Sequence, residues 1–206
     1  MMTKGVLVIV SGFSGAGKGT VTKELVRRYD TYALSISATS RAPREGEQDG
    51  KDYFFKTKEA FEEMIREDAF IEHAMYVGNY YGTPRSYVLQ QLEAGKDVIL
   101  EIEVQGALQV KEKFPEAVTV FMTTPTAEIL KERLIGRGTE TAQKVAGRLE
   151  RAREEAELMD RYDYVIVNDD LEECIAGLHA LIQCQHSRAS QNKEFIAAIQ
   201  EQLKEI

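Results

Sequence analysis

Residues 6–10 form an unbroken apolar run, Val6-Leu7-Val8-Ile9-Val10, stopped by Ser11-Gly12. A run with no polar alternation and several β-branched side chains predicts a parallel strand covered on both faces. After Lys18 the period changes: Val21, Leu25 and Val26 recur at helical spacing, so a glycine-rich loop joins a strand to the start of a helix. Further strand-like runs lie at Tyr32 to Ser37, Asp97 to Glu103, Ala117 to Met122 and Tyr164 to Val167, with helical patterns between most of them. This alternation predicts an α/β fold with a parallel core sheet flanked by helices.

Two stretches depart from the alternation. From about 37 to 83 the chain carries Pro43, several glycines, four tyrosines and short strand-like pieces around Tyr53-Phe54-Phe55 and Phe70 to Val77, the pattern of an inserted subdomain. From about 126 to 160 it is helical in pattern but broken at Gly136-Arg137-Gly138, which predicts a helical lid with a hinge. The expected core is then 1–36, 84–125 and 161–189. In a last helix, about 190–206, Phe195, Ile196, Ile199, Leu203 and Ile206 share one face and are expected to pack on the body.

A length of 206 residues suits one compact domain with insertions. The formal net charge of −8 argues against a general nucleic-acid or membrane-surface binder, so an anionic ligand must be met by a local cluster of cations. Cys174 and Cys184, ten positions apart in a helical segment, read as reduced thiols, and His73, His179 and His186 have no metal-ligand spacing. No signal-peptide pattern or membrane-length apolar run is present, and the expected location is cytoplasmic.

Gly12-Phe13-Ser14-Gly15-Ala16-Gly17-Lys18 supplies G-x-x-x-x-G-K between a strand and a helix, the context a phosphate-binding loop requires. Glycines let backbone N–H groups turn inward, the helix N-terminus adds positive potential, and Lys18 brings a charge to the β- and γ-phosphates. Gly19 stands where a Mg²⁺-binding Ser or Thr usually follows the lysine, and Thr20 comes next. No direct protein ligand for the metal is expected, Thr20 acting through water at most, since Mg²⁺ keeps several waters.

The inserted stretch reads Ser37-Ala38-Thr39-Ser40-Arg41-Ala42-Pro43-Arg44, then Tyr53, Phe70-Ile71-Glu72 and Tyr80-Tyr81-Gly82-Thr83. With Glu101-Ile102-Glu103-Val104-Gln105-Gly106, Arg137-Gly138-Thr139-Glu140-Thr141 and Val167-Asn168-Asp169-Asp170, these motifs resemble the guanylate kinase family, in order, from Ser11 to about Leu171. The resemblance implies a P-loop nucleoside-monophosphate-kinase fold and the reaction ATP + GMP = ADP + GDP, assisted by Mg²⁺ that arrives with ATP, in purine nucleotide metabolism and GMP recycling. Residues matching Arg41, Arg44, Tyr53 and Tyr81 hold the GMP phosphate, and those matching Ser37, Glu72 and Thr83 read guanine. The ATP set comprises Gly12, Phe13, Ser14, Gly15, Ala16, Gly17, Lys18, Gly19 and Thr20, together with Arg133, Arg137 and Asn168. Lys18, Arg41, Arg137 and Arg148 are the residues expected to act on the transferring group.

The residue chemistry agrees with those roles. Guanidinium forks match phosphate oxygens, and a carboxylate at Glu72 accepts from guanine N1–H and the exocyclic amine, a pairing adenine cannot make. Glu101 and Glu103, two apart in the expected strand, would share one face near its C-terminal end and border the acceptor nucleotide or Mg²⁺-bound water. Each residue alone has a plainer reading: a solvated basic turn for the arginines, sheet packing for the tyrosines, a surface pair for Arg133, a turn for Asn168, a salt bridge for the glutamates. A protein-binding domain on the same fold is opposed by the intact loop with Lys18, and a kinase for another small phosphate by the set Ser37, Glu72 and Thr83. The sequence leaves the oligomeric state open.

Overall fold

The computed structural model describes residues 4–76, 78–136 and 142–206. Strand β1 (Leu7–Gly12) is buried along its whole length, which is why its sequence lacks polar alternation. The glycine loop leads into α1 (Lys18–Arg28), which buries Val21, Thr22 and Leu25 and carries Arg27 and Arg28 in its last turn, where cations complement the helix dipole. Next come β2 (Tyr32–Leu34), β3 (Ala38–Thr39), β4 (Phe54–Phe55) and α2 (Lys58–Arg66), the last capped by Thr57, whose side chain accepts from the Ala60 amide. The chain continues through β5 (Phe70–Tyr76), β6 (Asn79–Pro84), α3 (Arg85–Glu93), β7 (Asp97–Glu101), α4 (Val104–Lys113) and β8 (Val118–Thr123). It ends with α5 (Ala127–Gly136), α6 (Ala142–Ala156), β9 (Tyr164–Val167), α7 (Leu171–Gln185) and α8 (Lys193–Gln202).

Five strands form an all-parallel sheet in the order β2-β7-β1-β8-β9. With β1 in the centre, the chain moves to one side through β2 and β7 and to the other through β8 and β9. The strand order therefore opens a crevice at the C-terminal end of β1, where such sheets receive ligands. A second sheet, β4-β3-β6-β5, is mostly antiparallel and comes from residues 38–84. Its small core is Ala38, Phe61 and Phe70, with the Phe61 ring stacked on Phe70 at 4.4 Å and on Tyr80 at 5.2 Å.

Three expectations need correction. The run from Tyr32 to Ser37 is not one strand: β2 ends at Leu34, Ser35 still donates to Ile99 O at 2.8 Å, and Ser37 O already accepts the Phe54 amide of the second sheet at 2.9 Å. The chain changes sheets there, which apolar patterning does not reveal. The run from Asp97 to Glu103 stops at Glu101; Glu103 is the N-cap residue of α4, its carbonyl accepting from Ala107 at 3.0 Å, so the two glutamates do not share a strand face. The third concerns α8, which buries none of its residues: Phe195 is 59% exposed and Ile199 40%, and Leu203 just beyond it is 64% exposed. A helical apolar stripe predicts a helix, but it carries no information on whether the fold reaches it.

Helices α5 and α6 bracket the expected hinge, and residues 137–141, including Arg137, lie outside the described residues. Cys174 and Cys184 are both free, and burial pushes the Cys174 thiol up to about 11. His179 stacks on Tyr29 and shares a 2.7 Å hydrogen bond with the Tyr32 hydroxyl, while His186 pairs with the buried Asp97 at 2.9 Å.

Candidate active site

The glycine loop sits at the C-terminal end of β1 and lines a cleft of about 530 Å³ together with Lys23, Glu24, Glu101 and Glu103. Two of its glycines are required sterically as well as conformationally. A Cβ on Gly12 (φ 141) would stand 1.9 Å from Met122 O, and one on Gly17 (φ 92) 2.4 Å from the Asn168 amide nitrogen. Lys18 Nζ donates to Gly12 O at 2.5 Å and to Phe13 O at 3.1 Å, which folds the ammonium back over the loop. The Phe13 ring anchors the loop from below, edge-on to Phe121 at 5.0 Å. Asn168 is buried and donates to Ala16 O at 2.7 Å, so its amide braces the loop backbone.

Glu101 reaches from the end of β7 to the first turn of α1. It accepts from Thr22 Oγ1 at 3.1 Å, and a Cβ on Gly19 would lie 3.4 Å from its Oε1. The space beside Gly19 is therefore bordered by a carboxylate, with Thr20 exposed next to it. These are oxygen donors, the chemistry that suits Mg²⁺ with several waters retained.

Glu101 also borders a second cleft of about 280 Å³, lined by Leu34, Ser35, Ser37, Asp52, Tyr53 and Ile102. Beside it, Arg41 is held by Glu47: Nη2 donates to Oε1 at 2.8 Å and Nη1 to Oε2 at 2.9 Å, with Tyr81 as a further hydrogen-bond partner. Those bonds hold the guanidinium pKa above its ordinary value and the Glu47 carboxyl below its own. The Arg41 guanidinium lies 5.3 Å from the Tyr53 ring centroid, and the Tyr53 and Tyr81 rings meet at 6.0 Å. Arg44 is exposed, its amide donating to Glu47 Oε2 at 2.7 Å.

Glu72 lies at the foot of the second sheet. The buried Thr83 donates its hydroxyl to Oε1 at 2.7 Å, and Oε2 faces Gly106 of α4, where a Cβ would stand 3.5 Å away. Burial pushes the Glu72 carboxyl up, opposed by the Thr83 hydrogen bonds and the charge of Lys113. Ser37 joins this sheet through its carbonyl, while Glu72 and Thr83 meet across β5 and β6.

Helix α6 meets the loop at Arg148, whose Nη1 donates to Ser14 Oγ at 2.6 Å. Arg133 points elsewhere, to Asp169 O at 3.5 Å. Arg151, one turn beyond Arg148, bridges Glu103 at 2.9 Å and Glu155 at 3.1 Å, and burial raises the Glu155 carboxyl in spite of that pairing. Neither Arg151 nor Glu47 stood out in the sequence. Glu47 follows Arg44 by three positions and Glu155 follows Arg151 by four, spacings that hint at local pairs, whereas the bridge from Arg151 to Glu103 spans 48 residues and leaves no local signal.

A glycine loop at the switch point of a five-stranded parallel sheet, faced by a small second sheet and two helices carrying arginines, defines a P-loop kinase. The chain belongs to the guanylate kinase family. The family model described as guanylate kinase matches residues 4–185. The chain is similar to the guanylate kinase of Lactococcus lactis, with 53% identity over 188 residues, 91% of this chain and 92% of the relative. It is also similar to the guanylate kinase of Bacillus cereus, with 54% identity over 186 residues, 90% of this chain and 91% of the relative. Among solved structures, the guanylate kinase of Anaplasma phagocytophilum superposes with a TM-score of 0.72 at 31% identity, covering 92% of this chain and 90% of that one.

Proposed function

We propose that this protein transfers the γ-phosphoryl group of ATP to GMP, with Mg²⁺, in the cytoplasm, where it would serve purine nucleotide metabolism and GMP recycling. The observation that carries this reading is that the two clefts meet at Glu101. A phosphate loop on one side and, on the other, a recess lined by the hydroxyl residues Ser35, Ser37 and Tyr53, with Arg41 stacked against Tyr53, support placing donor and acceptor on either side of one carboxylate.

In this reading Lys18 exchanges its two loop carbonyls for phosphate oxygens, so the charge developing in transfer meets a cation aimed by the backbone. Backbone N–H groups of residues 12–20 hold the phosphates of ATP, and Asn168 keeps that loop in shape from beneath. Arg41, preoriented by Glu47 and Tyr53, takes the GMP phosphate with Arg44 and Tyr81. Glu72 and Thr83, with Ser37, read the guanine edge. Arg148, already on the loop through Ser14, is the described lid arginine best placed to follow the transferring group, and Arg137 joins it by the family resemblance. Bound together with ATP, Mg²⁺ would supply charge neutralisation to the phosphates. Thr20 and Glu101 are the residues that would hold its waters.

Phosphoryl transfer between nucleotides requires alignment and exclusion of water more than covalent help, so no protein general base is invoked. The test is release of ADP from ATP with GMP, dGMP, AMP, UMP and CMP as acceptors. Turnover with GMP far above AMP and the pyrimidines is expected, and equal turnover with AMP would overturn the acceptor assignment.

A further inference from the structure

Glu72 presents a chemical conflict. To accept two guanine donors it must be ionised, yet it is partly buried where β5 meets β6 and α4, and one of its oxygens is already taken by Thr83. Desolvation of a carboxylate favours the protonated form, which offers a donor where guanine also has donors. Something must counter that bias.

We propose that Lys113, on the last turn of α4 and outside both clefts, is the positioning residue that keeps Glu72 charged and thereby sets the guanine affinity of the acceptor site. The Lys113 ammonium is moored to β5, donating to Ile71 O at 3.4 Å, the carbonyl next to Glu72 along the strand. Helix α4 packs its Gly106 face against Glu72 and brings Lys113 to the same strand at its other end. Among the described residues, Lys113 is the cation whose charge acts on the Glu72 carboxyl. β6 contributes the neutral Thr83 hydroxyl and amide, α4 contributes Gly106 and Lys113, and on β5 the neighbouring His73 is exposed and tilts against Phe70 at 6.1 Å. The field of Lys113 opposes the upward push of burial on the carboxyl. Lys113 itself is exposed, so its influence is partly screened and should be moderate and salt-dependent.

The inference rests on the reading of Glu72 as the guanine acceptor, and the experiment separates the two. kcat/KM for GMP at saturating ATP is measured from pH 5.5 to 8.5 in wild type, Lys113→Gln, Lys113→Arg, Glu72→Gln and the double variant Glu72→Gln/Lys113→Gln. Glutamine removes the charge while keeping a polar side chain one atom shorter, and arginine keeps the charge. The phosphate of GMP titrates near pH 6 in every arm, so only ratios to wild type are read.

At pH 8.5 Lys113→Gln should lie within about twofold of wild type; at pH 6 it should fall about three- to tenfold below it, through KM for GMP, with KM for ATP unchanged. Lys113→Arg should restore the wild-type profile, and on the Glu72→Gln background the glutamine at 113 should have no pH-dependent effect. A Lys113→Gln profile parallel to wild type, with Glu72→Gln still impaired, overturns the role of Lys113 and leaves Glu72 in place. Undiminished GMP efficiency in Glu72→Gln overturns the underlying reading instead.

Discussion

In the five-stranded sheet every neighbouring pair is parallel and β1 is buried from Leu7 to Gly12, whereas the four-stranded sheet relies on antiparallel pairs, two strands of two residues each and a core of three buried side chains. The first needs long crossovers and cover on both faces, so it comes with a large core that fixes the glycine loop in one shape. The second has a small core in which Phe61 stacks on Phe70 and Tyr80. On the proposed function, the large core would hold the phosphate cradle in one shape while the smaller sheet would carry the acceptor site.

The contrast can be broken most directly through the aromatic cores. Phe121→Ala removes a fully buried ring from the large core and should cost about 3–5 kcal/mol of global stability. Phe61→Ala removes the centre of the Phe61, Phe70 and Tyr80 stack and should loosen the second sheet while β1 stays protected. Amide hydrogen exchange in both variants decides this; equal loss of protection in β1 and β6 on Phe61→Ala would mean that the two sheets unfold as one unit.

The next effects fall on turnover. Lys18→Ala should lower kcat by about a hundred- to a thousandfold with the circular dichroism spectrum unchanged, since the side chain bonds carbonyls of the loop it belongs to. Near-normal turnover would mean that the rigid region is not the cradle. Glu72→Gln acts on the other region: loss of a charge-assisted bond is worth about 1.5–3 kcal/mol, so GMP efficiency should fall by about ten- to a hundredfold while affinity for an ATP analogue stays constant. An equal fall in ATP-analogue affinity would show that the two regions are not functionally separate.

A smaller effect belongs to the junction of β8 and β9. Burial pushes the Asp163 carboxyl up, but bonds from Lys111 Nζ at 2.8 Å and from the Thr119 amide and hydroxyl outweigh it and hold the group below its ordinary value. Its folded-state pKa being depressed, the stabilisation is present above the unfolded value and is lost as pH falls through the folded one. Asp163→Asn should cost about 1–2 kcal/mol at pH 7 and less in acid, read from urea midpoints across pH. A pH-independent cost would remove the ion-pair explanation. Least affected should be a chain lacking α8: that helix buries no residue, and its deletion should change stability by about 0.5 kcal/mol or less. A large loss of stability would show that its apolar face is covered in solution.

How legible these regions were depended on how local their determinants are. The P-loop could be read because strand, glycines, lysine and helix start are contiguous, and each has its own steric or electrostatic reason. The second sheet was legible only through an ordered set of motifs, since two-residue strands such as Ala38–Thr39 carry no period to detect. Glu103 was misplaced because an acidic residue at an alternating position looks the same whether a strand continues or a helix begins. The pairs Arg41 with Glu47 and Arg148 with Ser14 required coordinates, the second spanning 134 residues.

By itself the sequence determined the central strand, the phosphate loop, the family and the identity of the side chains that chemistry would need, because those follow from residue type and short-range spacing. Tertiary structure alone decided that two clefts meet at Glu101, that Asn168 braces the loop, that Glu72 meets Thr83 and faces Gly106 of α4, and that α8 buries none of its residues. Each of these depends on which distant segments exclude water from one another, and burial of that kind is a property of the packed chain that no local pattern encodes.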